Sequence, residues 1–342
     1  MGVVRLLSAL IVIVGIPMIA HAGICPDKSI LIGDPPPIGK KQWCAYRDAK
    51  NQFVLHGRVA EWYDNGTLWR EVEFADGIRH GRSTEYDDRG RLIVTSTYVH
   101  GVLDGPYEVN QDDGTHWVGA YKAGLRDGPW RGDAGGELVA QGAYVKGKRD
   151  GEWRLRLDDG ALAVGPYTKD MRQGRWLVTW PSGAKQAEGP LVANKKSGVW
   201  SDYDERGVLR AQGPYKDDLR VGQWTFFKDG QKDAAGGMRA DKRDGPWTEW
   251  LADGTRLEGR YRDDVRVGEW VFIAADGKTE RARGQYLDGK RVGAWMELST
   301  DGVSQFRGPY VDDQRSGLWE AFDPSGQKVG EVRYERGEPV KP

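Results

Sequence analysis

The chain has 342 residues, and its 50 basic and 51 acidic side chains nearly cancel. No block of like charge supplies the basic excess with which nucleic-acid-binding proteins displace counterions, so nucleic acid is excluded as the expected partner. The chain is rich in large aromatic residues, with 15 Trp, 14 Tyr and 7 Phe, and its 48 Gly supply turns. An aromatic, turn-rich composition of this kind is typical of β structure.

Residues 1–22 have the pattern of an export signal. Arg5 provides the basic start, Leu6–Ile16 the apolar run, and Ala20 and Ala22 are small residues before Gly23. The run is shorter than the ~20 residues that span a bilayer. We expect cleavage near Ala22 and an exported mature chain, periplasmic or secreted, with an uncleaved anchor as the alternative.

Residues 23–56 form a predicted N-terminal cap. The segment up to Lys41 is expected to be irregular, because Pro35–Pro37 cannot join a ladder. Gln42–Arg47 then alternates as a strand, and the chain turns and returns through Phe53–Leu55. A degenerate first hairpin of this kind would protect the open end of a sheet.

The chain has two cysteines, Cys25 and Cys44, and both lie in this cap. An exported chain meets an oxidising compartment, so we predict a disulfide between them. The alternative, a metal or redox pair, lacks both CxxC spacing and nearby histidines.

Residues 57–336 repeat a unit of 23–25 residues about twelve times and leave residues 337–342 as a tail. Each unit begins with a repeat glycine: Gly57, Gly81, Gly105, Gly128, Gly151, Gly174, Gly198, Gly222, Gly245, Gly268, Gly293 and Gly317. Eight or nine residues later comes a turn glycine: Gly66, Gly90, Gly114, Gly136, Gly160, Gly183, Gly207, Gly230, Gly254, Gly277, Gly302 and Gly326. Most turn glycines follow Asp, Asn or Ser between alternating apolar runs, which predicts β-hairpins.

Two aromatic columns explain why the hairpins must stack, since an isolated hairpin is marginal in water. One repeat position holds Trp130, Trp153, Trp176, Trp200, Trp224, Trp247, Trp270, Trp295 and Trp319, with Tyr107 as its earlier equivalent. The other holds Tyr98, Tyr121, Tyr144, Tyr167, Tyr215, Tyr261, Tyr286, Tyr310 and Tyr334, with Phe74, Leu191 and Met238 as substitutes. Glycines two residues before the second column leave room for a ring to lie flat on the backbone: Gly119, Gly142, Gly165, Gly189, Gly213, Gly236, Gly259, Gly284 and Gly308.

These features predict an all-β fold, an elongated single-layer antiparallel sheet of about twelve stacked hairpins. Two strands per repeat would give roughly 10 Å per repeat and on the order of 115 Å for twelve. The register of the first repeats is less certain, because Val59 and Ser83 stand where Trp is expected, and Trp62 and Tyr86 lie three positions later.

The pattern Gly-x-Trp, Asp-Gly, Gly-x-Tyr resembles the MORN repeat in its bacterial variant form. It is clearest from Gly245 and Trp247 through Gly254 to Tyr261. The resemblance covers about residues 57–334 and implies a scaffold for protein assembly. Membrane-lipid binding has also been attributed to the family. Some bacterial members carry an antitoxin-like label, which an export signal makes awkward.

No catalytic constellation is present, and we expect neither enzyme activity nor a cofactor. His56 and His80 both precede a repeat glycine, with Asp104 at the same position in the next repeat. Such a trio could ligate zinc, but polar residues before a turn are the preferred interpretation and no metal site is assigned. The Asp residues before the turn glycines are expected to cap the backbone.

A basic residue stands two positions before most repeat glycines. The set is Arg79, Arg126, Arg149, Arg172, Lys196, Arg220, Arg243, Arg266, Arg291 and Arg315. Such a row could read an anionic polymer or lipid headgroups. Acidic residues lie two to four positions earlier, so the preferred interpretation is pairing within each turn.

The leading functional hypothesis is a non-enzymatic exported scaffold that binds a protein partner at the cell envelope. The alternative is a carbohydrate, cell-wall or anionic-lipid binding repeat protein; the charge pattern does not support membrane or polysaccharide contact. The Trp residues are assigned to structure, and the binding residues are unknown.

Overall fold

The computed structural model describes residues 25–340. All regular elements in this part of the chain are strands joined in antiparallel hairpins, which confirms the predicted all-β class. The predicted export signal, residues 1–22, lies outside the described residues. Between residues 25 and 340 no helix has the length and apolar character needed to cross a membrane.

The chain divides into two units. Unit 1 comprises the chain up to Gln111 together with Tyr121–Gly124, and unit 2 comprises Asp112–Ala120 and the chain from Leu125 onward. Each unit is built from strands that pair with their neighbours in sequence, as expected for hairpins that follow one another.

Unit 1 contains seven complete strands. They are β1 (Ile30–Asp34), β2 (Lys41–Arg47), β3 (Phe53–Trp62), β4 (Leu68–Ala75), β5 (Ile78–Tyr86), β6 (Leu92–Val99) and β7 (Val102–Asn110).

Unit 2 contains the later strands, the first of which ends with two residues in unit 1. They are β8 (Thr115–Lys122), β9 (Leu125–Arg126), β10 (Gly128–Ala134), β11 (Glu137–Val145), β12 (Lys148–Arg156), β13 (Leu162–Thr168), β14 (Met171–Arg172), β15 (Gly174–Thr179), β16 (Lys185–Val192), β17 (Lys195–Lys196), β18 (Gly198–Tyr203), β19 (Leu209–Lys216), β20 (Leu219–Arg220), β21 (Gly222–Lys228), β22 (Gln231–Arg239), β23 (Lys242–Trp250), β24 (Arg256–Arg262), β25 (Val265–Ile273), β26 (Glu280–Leu287), β27 (Lys290–Leu298), β28 (Gln305–Val311), β29 (Gln314–Arg315), β30 (Gly317–Phe322), β31 (Lys328–Glu335) and β32 (Glu338–Pro339).

The N-terminal part of unit 1 is more regular than the sequence suggested. The expectation of an irregular segment up to Lys41 is wrong for Ile30–Asp34, which forms β1 and pairs with β2. The run Ile-Leu-Ile precedes the prolines, so its backbone N–H groups remain free to join a ladder. The predicted disulfide is confirmed: Cys25 bonds to Cys44, with their Cα atoms 5.5 Å apart, and links the start of the cap to β2.

Each repeat turns twice, by two different devices. At the first turn the turn glycine has φ between 71° and 87°, the left-handed region in which glycine has no steric cost. Asp204 illustrates the predicted capping, because its Oδ1 accepts the backbone N–H groups of Arg206 and Val208. At the second turn two successive residues have positive φ, such as Asp217 at 51° and Asp218 at 70°. This pair is the signature of a type I′ turn, which matches the twist of a hairpin.

The repeat glycines mark a bulge in the sheet rather than a turn. All twelve have positive φ, from 63° to 127°. The pairing register shifts beside them, for example between Gly236 and Met238 opposite β23. A bulge bends its strand and increases the local twist. The glycine spacing of the sequence therefore reports two alternating features, a turn and a bulge.

The register of the first repeats is the same as that of the later ones. Gly57 pairs with Phe74 and Gly81 with Tyr98, just as Gly151 pairs with Tyr167 in unit 2. Val59 and Ser83 therefore occupy the tryptophan position, and both are buried.

Candidate functional site

The tryptophan column of unit 2 lies flat on glycine backbone, as predicted. A Cβ atom built on Gly259 would stand only 2.1 Å from Cδ2 of Trp270, and one on Gly284 equally close to Trp295. All nine glycines that were predicted to receive a ring contact the tryptophan of the following strand in this way. The rings are 0–4% exposed, so close approach to the backbone buries them although each lies on a sheet face.

Each of these tryptophans is also held by a hydrogen bond. The indole N–H donates to the backbone carbonyl ten residues earlier, as from Trp153 to Ala143 at 3.0 Å and from Trp247 to Gly237 at 2.7 Å. A buried indole N–H needs an acceptor, and the bulge beside the glycine exposes one. The rings are therefore fixed in both position and orientation.

The two predicted columns form one alternating row in unit 2. Trp and Tyr rings meet edge to face, with centroids 5.1 Å apart between Tyr144 and Trp153 and 5.3 Å apart between Tyr261 and Trp270. Where Met238 replaces Tyr, Phe226 lies between two tryptophans, 5.8 Å from Trp224 and 6.0 Å from Trp247. These are the favourable geometries of aromatic pairs.

The basic side chains lie over this row. The guanidinium of Arg243 is 4.0 Å from the Tyr261 ring centroid, and that of Arg266 is 4.4 Å from the Trp270 centroid. Lys196 is 4.3 Å from the Trp200 ring. Cations at these distances are attracted by the ring quadrupole. Many of the basic side chains that the sequence places along one edge are thus packed against aromatic rings.

Several basic residues of the row, among them Arg243 and Arg291, have an acidic partner in the next repeat, so the predicted pairing within one turn is wrong for these residues. The backbone N–H of Arg243 donates to Oδ1 of Asp264 at 2.9 Å, and its guanidinium pairs with the same carboxylate at 3.1 Å. Arg291 and Asp313 repeat this arrangement. Antiparallel pairing brings each type I′ turn beside the start of the preceding hairpin. The paired residues are therefore close in space although they are far apart in the sequence.

Two glutamates in unit 2 complete identical clusters with a tyrosine and an arginine. Glu249 accepts hydrogen bonds from the Tyr261 hydroxyl at 2.6 Å and from Arg266 Nη2 at 2.6 Å. Burial alone would lower the pKa of Arg266, but Tyr261 and Glu249 raise it above its ordinary value. Burial and the hydrogen bond to Glu249 raise the pKa of Tyr261. The cluster is therefore a neutralised, closed network at neutral pH.

The second cluster contains Glu297, Tyr310 and Arg315. Glu297 accepts from the tyrosine hydroxyl at 2.8 Å and from Arg315 Nη2 at 2.5 Å. Sequence reasoning missed both clusters. The signal that could have found them is an acidic residue two positions after a column tryptophan, where most other repeats of unit 2 have an apolar residue.

The histidines are arranged differently from the suggested trio. His56 Nδ1 lies 3.2 Å from Oδ1 of Asp76, and His80 meets the His100 ring at 5.2 Å. Asp104 accepts the backbone N–H of Ala123. Each side chain serves the turn of the following repeat, and within residues 25–340 no three His, Cys, Asp or Glu side chains are grouped as metal ligands.

Two of the solved structures that resemble this chain are distant in sequence and in structure. A crystal structure titled as the eukaryotic initiation factor is 11% identical, covers 88% of this chain and 97% of its own, and has a TM-score of 0.20. BamB from Moraxella catarrhalis is 10% identical, covers 91% and 90%, and has a TM-score of 0.13. At such scores neither carries an argument. No curated protein matches the sequence.

The hairpins, the two kinds of turn and the ring-on-glycine row define a β-repeat protein. The family model described as MORN repeat variant matches residues 55–76 in unit 1 and residues 196–217 in unit 2. These two matches support a MORN repeat protein, as the resemblance predicted. The family is generally one of non-enzymatic repeat scaffolds.

Proposed function

We propose that this protein is a non-enzymatic, exported repeat scaffold that binds a protein partner at the cell envelope. The observation that carries the proposal is that the side chains of unit 2 have two different roles. The repeated Trp, Tyr, Arg and Gly positions are used in packing, and they leave side chains that differ between repeats to be presented. A regular surface with varied side chains is how repeat proteins bind partners.

Export is supported by the disulfide between Cys25 and Cys44 together with the sequence pattern of residues 1–22. Disulfides persist in oxidising compartments and are rare in the reducing cytosol. A periplasmic or secreted location is compatible with both features.

The carbohydrate alternative is less well supported, because sugar rings stack on exposed aromatic faces. The column tryptophans of unit 2 are buried. Among the described residues the exposed aromatic rings are Phe53 and Trp69, and both carry a guanidinium: Arg47 at 4.1 Å and Arg70 at 4.4 Å from the ring centroids. Lipid headgroups are disfavoured in the same way, because the basic row is occupied with rings and carboxylates.

Crosslinking in the native envelope, followed by identification of the captured protein, tests the proposal. We expect one protein to be captured at a constant ratio and to copurify without crosslinker. A matched control is another exported protein of similar size that carries the same tag. Capture equal to this control, combined with a change in Trp fluorescence on addition of wall fragments, would replace the proposal with the carbohydrate alternative.

A further inference from the structure

Three consecutive hairpins of unit 2 end in an excess of positive charge. Their ends, named here the basic hairpin ends, each consist of a type I′ turn and the strand residues beside it: residues 145–150, 168–173 and 192–197. Together they contain seven basic and two acidic residues. The five corresponding ends that follow contain ten basic and nine acidic residues: 216–221, 239–244, 262–267, 287–292 and 311–316. The three ends are therefore strongly basic, whereas the five that follow are close to neutral.

The basic side chains of these ends have two different surroundings. Arg149, Arg172 and Lys196 belong to the basic row, and each lies over an aromatic ring. The other four basic residues are outside the row and exposed: Lys146, Lys148, Lys169 and Lys195. Within residues 25–340 none of these four ammonium groups forms an ion pair or a side-chain hydrogen bond. Their charge is therefore available to a ligand.

An exposed aliphatic side chain accompanies the lysines at each end. Across the first turn Val145 pairs with Lys148, and directly paired residues point to the same face of a sheet. Across the third turn Val192 pairs with Lys195 in the same way. Met171 lies at the middle turn, and the valines and this methionine are 52%, 54% and 42% exposed. The basic hairpin ends thus offer apolar contact as well as charge.

The acidic residues nearby do not reverse the excess. The whole stretch of residues 145–197 contains eleven basic and six acidic residues, so the acids of the intervening strands leave it basic. The aspartates in and beside the ends each accept the backbone N–H of a basic residue: Asp127, Asp150, Asp170 and Asp218. An occupant with negative charge is therefore favoured.

The ends also repeat at a regular distance. Successive hairpins are two strands apart, so their ends lie roughly 10 Å from one another. An extended polypeptide advances about 3.3 Å per residue, so every third residue of a chain that lies across the hairpins would meet a new end.

We propose that the basic hairpin ends bind an extended acidic segment of a protein partner, with an acid at every third residue and apolar side chains between. The acids would pair with the exposed lysines, and the apolar side chains would pack on Val145, Met171 and Val192. A polypeptide is favoured over a membrane because the exposed apolar residues here are aliphatic, whereas membrane interfaces are enriched in Trp and Tyr. The inference rests on the proposed function, since it gives the chemistry by which the scaffold binds its partner.

Two double variants, matched in charge and in repeat position, test the proposal. Lys148→Gln with Lys195→Gln removes two lysines from the basic hairpin ends. Lys242→Gln with Lys290→Gln removes the lysines at the equivalent position of two nearly neutral ends. The probe is a blocked peptide of four Glu-Val-Ser triplets, labelled with a fluorophore and titrated by anisotropy. We expect about a tenfold loss of affinity in the first variant and less than twofold in the second. Equal losses would mean nonspecific charge attraction and would overturn the proposal.

The spacing and the apolar contact are tested with the same assay. A peptide of the same composition with its four Glu in one block should bind about fivefold more weakly than the triplet peptide. Val145→Thr with Val192→Thr keeps the branched shape, and should weaken binding of the triplet peptide about threefold because it removes apolar surface. Equal affinity for the two peptides, or no effect of the threonines, would show binding by charge alone and would overturn the proposal.

Vesicles of phosphatidylcholine and phosphatidylglycerol separate a membrane from a protein segment. We expect the original chain to bind the triplet peptide and not the vesicles. Vesicle binding that depends on Lys148 and Lys195, without binding of the peptide, would assign the surface to a membrane and overturn the proposal.

The peptide titration and the envelope crosslinking fail separately. Peptide binding that follows the lysine variants without any captured protein would reject the envelope partner and keep this surface. A captured protein whose binding is the same for the original chain and the variant of Lys148 and Lys195 would keep the scaffold and reject this surface.

Discussion

The two units use the same hairpin but fill its central positions differently. In unit 2 a buried tryptophan lies on glycine, as Trp270 lies on Gly259. In unit 1 the tryptophan position holds Val59, Ser83 or Tyr107, and the glycine position holds Val72 or Ser96. Tryptophan and glycine are thus replaced together, because without an indole to receive, a glycine would leave a void and gain nothing.

The acid two positions after the column residue shows the same contrast. In unit 1, Glu61 pairs with Lys41 at 2.7 Å and with Arg70, and Phe74 stands at the tyrosine position without a hydroxyl to offer. In unit 2, Glu249 bonds to a tyrosine and an arginine instead. The comparison teaches that the backbone repeat tolerates several packings, so long as each is complementary within itself.

The largest expected effect comes from removing a ring of unit 2. Trp270→Ala deletes a side chain that is 0% exposed, and should destabilise the strands around it by roughly 3–5 kcal/mol. Trp69→Ala is the matched control in unit 1, because Trp69 is 38% exposed. Hydrogen exchange of peptides from each unit measures both. Equal losses of protection would remove the distinction between buried and exposed tryptophan on which the comparison depends.

A smaller effect is expected when unit 1 is given the packing of unit 2. Ser83→Trp places an indole against Val72, its cross-strand neighbour, and should cost about 1–3 kcal/mol through overpacking. Combining it with Val72→Gly removes the side chain beneath the ring, so that the indole can lie on the backbone. The double variant should therefore be more stable than the sum of the single changes predicts. Simple additivity, measured by the same exchange experiment, would show that glycine is not the required partner.

The smallest expected effect concerns pH. Hydrogen bonds from Arg175, Tyr203 and Lys185 lower the pKa of Glu188 to about 2, below its ordinary value of 4.5. Because the folded state holds the carboxylate ionised, its contribution to stability is complete above pH 4.5 and is lost as the pH falls towards 2. Glu188→Gln should lose less stability than the original chain over that interval in urea titrations. Parallel losses would assign the acid sensitivity to other groups.

The strands, the turn glycines, the disulfide and the glycines beneath the tryptophan rings can be predicted from the sequence. Each of these features depends on residues close together in the chain or on a strict period. β1 was missed because the prolines that follow Ile30–Asp34 dominated its interpretation. The ion pairs between Arg243 and Asp264 and between Arg291 and Asp313 were assigned to the wrong turns, since the sheet brings together residues 21 or 22 positions apart. The clusters of Glu249 and Glu297 were missed because each glutamate bonds to side chains 12 to 18 positions away along the chain.

The central claim is that a ring lying on glycine holds the hairpins of unit 2 together. A double-mutant cycle of Gly259→Ala and Trp270→Ala tests it most directly, with Gly330→Ala as the control because a Cβ there meets nothing within 4 Å. We predict that Gly259→Ala costs about 1–3 kcal/mol in the original chain and close to nothing when Trp270 is already Ala. The same cost in both backgrounds, measured by hydrogen exchange of β24–β26, would contradict the account.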